Sequence, residues 1–141
     1  EDGYYTDGIT AFKIPADYKI TEHEANGLTY FRVVNDSYYT DENITIASEH
    51  NKQLSQREFL QYVEAWTDAE LEETSHTDEY HEKTMDGKHM HYHCIHYDTY
   101  GVYWELAVIS DPDIDKNFLV SIYTQEPENT LYFFANNVKF E

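Results

Sequence analysis

Histidines alternate along the stretch Lys88-His89-Met90-His91-Tyr92-His93-Cys94-Ile95-His96, which holds four of the chain's eight. In an extended strand, His89, His91 and His93 project to one side and Met90, Tyr92 and Cys94 to the other. Imidazoles sharing a side can converge on one ion. A facing carboxylate then completes a donor set suited to zinc or another borderline divalent metal. Asp86-Gly87 just upstream is a two-residue hairpin signal. With the turn placed there, Met85 faces Lys88, Glu82 faces His91 and Tyr80 faces His93. The expected metal ligands are therefore His89, His91, His93 and Glu82, with His76 and Asp78 further along the same side. A register slip of one residue would carry every partner to the opposite side, so the carboxylate depends on the turn. The competing reading is a set of ordinary strand histidines, stacked with Tyr80 and Tyr97 and titrating near neutral pH without a ligand.

Other chemistry finds little footing. Cys94 and His96 lie two apart on one strand, which gives them a common side but not the hydrogen bond that activates a thiolate, so Cys94 reads as a structural thiol. The chain has 28 acidic residues, too many for any pair to stand out as an acid–base couple. Phosphate-cradling glycine loops, a serine nucleophile elbow and a helical His-Glu-x-x-His are all missing from the sequence. The expectation is a protein that is not an enzyme, with a hydrolase of unidentified class as the remote alternative.

Composition sets the boundaries. Aromatic residues make up 16% of the 141 positions, 14 of them tyrosine, enough apolar surface for a folded core despite the charge. Nine basic residues against 28 acidic ones give a net charge of −19, which repels nucleic acid and anionic lipid and serves either solubility or, as an acidic patch, the attraction of cations or a basic partner. Cys94 is the only cysteine, so no internal disulfide forms. No apolar run approaches the length of a membrane-spanning helix, so direct insertion of this chain is not expected. The start at Glu1 with a polar, glycine-containing lead-in resembles a processed terminus, which leads to an expectation of an extracellular or cell-envelope protein whose leader, with or without a lipid anchor, has been removed.

The elements that must position the histidine strand follow from periodicity. Residues 1–8 read as a flexible lead-in and 9–141 as a single domain. Strands are expected at Ile9–Ile14, ended by Pro15, at Leu28–Val34 after an Asn26-Gly27 turn, and at Asn43–Ser48. Ser55-Gln56-Arg57-Glu58 is a capping box that starts a helix. Its buried stripe is Phe59, Tyr62, Val63 and Trp66, continued by Ala69, and its end falls between Glu70 and Thr74. An antiparallel meander of three strands comes next, Ser75–Met85, Lys88–Tyr97 and, after a turn at Asp98–Gly101, Val102–Ile109, and the loop Ser110–Lys116 with Asp111-Pro112-Asp113 leads to a last strand, Asn117–Thr124. Pro127 then opens a closing helix with Leu131, Phe134, Ala135 and Val138 on its buried side.

Phe12-Lys13-Ile14-Pro15-Ala16-Asp17-Tyr18, the serine-capped helix, Met85-Asp86-Gly87-Lys88 between long strands and the final amphipathic helix together resemble the PsbP-like superfamily. That resemblance covers most of the chain. It implies an α+β fold, an antiparallel sheet of about six to seven strands sandwiched between helices in an α/β/α arrangement. It also implies a secreted or lipoprotein-type accessory or binding domain without chemistry of its own. The expected partner is an unidentified protein or a cation, and the expected cofactor, if there is one, is a divalent metal such as zinc.

Overall fold

The structure is a computed structural model that describes residues 3–25, 27–35, 43–67, 78–96 and 103–140. Among the described residues, ten strands and two helices follow in chain order: β1 Tyr5–Thr6, β2 Thr10–Phe12, β3 Tyr18–Ala25, β4 Leu28–Asn35, β5 Asn43–Glu49, α1 Gln56–Thr67, β6 Asp78–Met85, β7 Lys88–His96, β8 Tyr103–Ser110, β9 Asn117–Thr124, α2 Pro127–Asn137 and β10 Val138–Phe140. Seven strands form one antiparallel sheet in the order β3-β4-β5-β9-β8-β7-β6, and β1, β2 and β10 form a small sheet of their own. The meander β6 to β9 thus folds back so that its last strand pairs with β5.

The centre of the large sheet is buried on both sides. In β8, Trp104, Leu106 and Val108 join Leu119 of β9, Phe59 and Val63 of α1 and the preceding Leu54 in one apolar cluster. The intervening Ala107 and Ile109 join Met90, Tyr92, Phe118, Val120 and Ile122, packed against Leu131, Phe134 and Ala135 of α2. A strand covered on both sides loses the polar alternation of a half-exposed strand, and β8 accordingly reads Trp-Glu-Leu-Ala-Val-Ile. Phe12 of the small sheet packs into the second cluster, with its ring 5.3 Å from Phe31 and 5.5 Å from Phe118. No helix among the described residues is long and apolar enough to cross a membrane.

The expected α/β/α sandwich does not hold. The protein is mostly β, with 56% of its described residues in strands, and is a seven-stranded antiparallel sheet carrying two helices. Length explains why. Helices of 12 and 11 residues are only ~16–18 Å long, whereas seven strands at their usual spacing span ~29 Å. Neither helix can form a layer across such a sheet, and β3 is mostly exposed along its length.

Individual elements differ for local reasons. The hydrophilic segment between Pro15 and Asn26, to which periodicity assigns no strand, holds β3, paired residue for residue with β4. The first expected strand, Ile9–Ile14, shortens to Thr10–Phe12 and leaves the main sheet for the small one. Val138 is not in the closing helix. It has extended dihedrals and starts β10, opposite Phe12, while Asn137 closes α2 by donating its side-chain amide to the Phe133 carbonyl at 2.8 Å. The capping box forms as expected. The Glu58 N–H donates to the Ser55 hydroxyl at 3.2 Å and the Ser55 N–H to the Glu58 carboxylate at 3.0 Å, which holds the Glu58 carboxyl below its ordinary pKa. Helix α1 is described to Thr67, and the expected end between 70 and 74 lies outside the described residues, as do the expected turn at 98–101, Tyr97 and the side chains of Trp66 and Cys94.

Candidate metal centre

The histidine strand is positioned from three directions. Asp86 and Gly87, with φ of 52° and 76°, form the tight turn that joins β6 to β7. Both angles lie in the left-handed region, which glycine enters freely and aspartate tolerates better than most residues. The turn fixes the register at Met85 opposite Lys88, Glu82 opposite His91 and Tyr80 opposite His93. On the other edge of β7, His91 faces Val108 and His93 faces Leu106 of β8, so the histidines point to the side covered by α1. From that side the chain entering α1 supplies the Leu54 carbonyl, and α1 itself supplies the Phe59 ring.

His91 is the buried centre of the group, at 2% exposure. Its ring stacks on Phe59 with centroids 5.5 Å apart and planes 19° apart. Nε2 lies 2.7 Å from the Leu54 carbonyl oxygen. A carbonyl only accepts, so Nε2 carries the proton, and Nδ1 accepts a hydrogen bond from the Tyr80 hydroxyl, also at 2.7 Å. Burial lowers the His91 pKa, opposed by the hydrogen bond to Leu54, reinforced by neighbouring His89 and opposed again by Glu82. The ring is therefore held in the neutral, Nε2-protonated form, with its lone pair at Nδ1 directed toward the Tyr80 side. The Tyr80 hydroxyl is pushed up to about 12 by burial and the adjacent Glu82 carboxylate, so it stays a donor.

His89 stands beside His91, edge to face, with centroids 4.8 Å apart. Its Nε2 is 2.8 Å from Glu82 Oε2, close enough for an ion pair, yet the pair lacks hydrogen-bond alignment and Nε2 is a buried atom without a hydrogen-bond partner. The short separation and the missing alignment are both informative: the two groups are held together by position and not by a well-formed N–H···O bond. Glu82, with its side chain 46% exposed, keeps room to rotate.

One ligand atom from each of Glu82, His89 and His91 lies within 4.8 Å of the others, and this group could hold a metal ion. Tetrahedral zinc with bonds near 2.0–2.1 Å sets its donors ~3.3 Å apart, so donors as far apart as 4.8 Å need closing by ~1.5 Å. The Leu54 carbonyl is the kind of outer partner that metal-bound imidazoles usually have, since it fixes the tautomer and leaves the other nitrogen as the ligand. His93 shares the side and is 8% exposed, but it lies two residue pairs further from the turn than His91 and is not among the three converging residues. Asp78 contributes backbone to β6, its side chain lying outside the described set, as does all of His76.

Two participants carry no metal-like signal in the sequence. Tyr80 was legible only as the residue opposite His93, although its hydroxyl reaches diagonally to His91. Leu54 contributes through its backbone, which residue type does not reveal. Together, fold and site define an antiparallel-sheet protein with a two-histidine, one-carboxylate group under the edge of a helix. No known protein family matches this sequence, and no curated protein matches it.

Proposed function

We infer that this domain binds a divalent cation, zinc best suiting its donors, through Glu82, His89 and His91, and serves as a binding module without catalysis of its own. The observation that carries this reading is the convergence of three ligand atoms within 4.8 Å around a histidine whose second nitrogen is already committed to the Leu54 carbonyl. The two imidazoles favour zinc and its borderline neighbours over magnesium or calcium, and the carboxylate is a donor that zinc also accepts. On binding, the metal takes the Nδ1 lone pair that the Tyr80 hydroxyl occupies in its absence. Three protein donors leave one tetrahedral position for water or for a donor from a partner.

Titration calorimetry with zinc at pH 7 and 0.3 M salt tests this, because salt suppresses diffuse attraction to a −19 surface. One micromolar site per chain is expected. His89→Ala and Glu82→Gln should each weaken it at least tenfold, whereas His23→Ala, distant on β3, should not. Absence of binding, or binding unaffected by both site substitutions, would remove the proposal.

A further inference from the structure

Glu105 lies on the opposite side of the sheet from the histidine group, facing the cluster packed against α2, and is 2% exposed. Its Oε1 has no hydrogen-bond partner. A buried carboxylate oxygen without a donor is costly to keep, because desolvation of the charge is not offset by any N–H or O–H. The residue also lines a cavity of about 340 Å³ at the start of α2, together with Glu126, Glu128, Asn129, Tyr103 and His81. That volume falls within the range of small-molecule sites, about 300–1,000 Å³. The lining includes three carboxylates and no lysine or arginine.

We propose that this cavity binds an organic cation, a guanidinium or primary ammonium group, with Glu105 as its buried counter-ion and Glu126 and Glu128 at its mouth. The unpartnered oxygen supplies the missing acceptor, and an N–H donor is the group that satisfies it. A metal ion suits the cavity less well, because these carboxylates do not appear in a group of converging ligand atoms among the described residues. A neutral ligand would leave the three carboxylates facing one another. The chain's net charge of −19 raises the local concentration of any cation.

Burial, and then the neighbouring Glu128 charge, push the Glu105 carboxyl up to about 7. The groups that face it are His81 from β6, Tyr92 from β7, Tyr103 from its own strand, and Glu126 and Glu128 from the start of α2. Only an ionised Glu105 pairs with the cation, so affinity should rise with pH.

Agmatine is the probe, titrated calorimetrically into the whole chain at pH 6 and pH 8. The expected result is about tenfold tighter binding at pH 8, matching the change in ionised fraction of a group near 7. Glu105→Gln should weaken binding at pH 8 at least tenfold and flatten the pH dependence, while Glu128→Gln weakens it less. An arginine-containing tripeptide distinguishes the source of the cation. Equal affinity for the peptide assigns the cavity to a partner's side chain, and binding of agmatine alone assigns it to a free guanidine compound. No binding of either at pH 8, or the same affinity in wild type and Glu105→Gln, overturns the proposal. Zinc binding on the other side of the sheet is unaffected by either outcome.

Discussion

Replacing Glu105 with glutamine should stabilise the protein increasingly as pH rises from about 4.5 to about 7, by about 3 kcal/mol in all. The ordinary value of such a carboxyl is 4.5, and in the folded chain burial and the Glu128 charge raise it to about 7. A raised acid means that the folded state holds the proton more tightly than the unfolded one. Stability is then greatest below the unfolded value, falls as pH climbs between the two values, and levels off above the folded one. Glutamine has no proton to lose, so its variant escapes this fall. The remaining acidic residues titrate in both proteins and cancel in the difference. Urea unfolding of the two proteins at pH 4, 5.5, 7 and 8.5 measures it: the gap between them should widen with pH and then stay constant. A gap independent of pH would mean that the Glu105 carboxylate is solvated in the folded chain.

The second large effect is expected at His91. His91→Ala removes a ring stacked on Phe59, leaves the Leu54 carbonyl without its donor and strips the Tyr80 hydroxyl of its acceptor. Lost packing and a stranded carbonyl together cost about 3 kcal/mol. His89→Ala, whose side chain is 16% exposed and makes no aligned hydrogen bond through Nε2, should cost about 1 kcal/mol or less. Denaturant midpoints at pH 7 with chelator present check both. Comparable losses at the two positions would show that His91 does not anchor the hairpin to the chain entering α1.

Both expectations arise from residues whose type is visible in the sequence but whose surroundings are not. The register of the β6–β7 hairpin was legible because Asp86-Gly87 permits one tight turn, and every opposed pair then follows. That Glu82, His89 and His91 share a side was legible for the same reason. Which of the alternating histidines converge was not, because the choice depends on distance from the turn and on the Leu54 carbonyl, a backbone atom brought from 37 residues away. Glu105 was hidden among 28 acidic residues. Its distinguishing mark is its place in Tyr-Trp-Glu-Leu-Ala-Val-Ile, a lone charge in an otherwise apolar strand of the kind buried on both sides.

Strand β3 was missed because its side chains are mostly exposed, so neither of its sides carries a continuous apolar pattern. The Asn26-Gly27 pair nonetheless held the signal, since a hairpin turn needs a strand before it as well as after. Tyr18 and Ile20 supply its partly buried contacts, and the His23 ring stacks on Tyr30 of β4 with centroids 5.2 Å apart. The sandwich failed on a different ground. Two short amphipathic helices and a sheet of about six to seven strands were both legible; what fails is the cover, because helices of 12 and 11 residues are too short to form layers across a seven-stranded sheet.

The most direct test of metal binding at the hairpin is nitrogen-15 NMR of the histidine rings during a zinc titration. Coordination should displace His91 Nδ1 and His89 Nε2 resonances while His91 Nε2 keeps its proton on the Leu54 carbonyl, and His23 and His81 should not respond. Zinc shifting other imidazoles instead, or leaving the His89 and His91 nitrogens unchanged at saturation, would contradict the site.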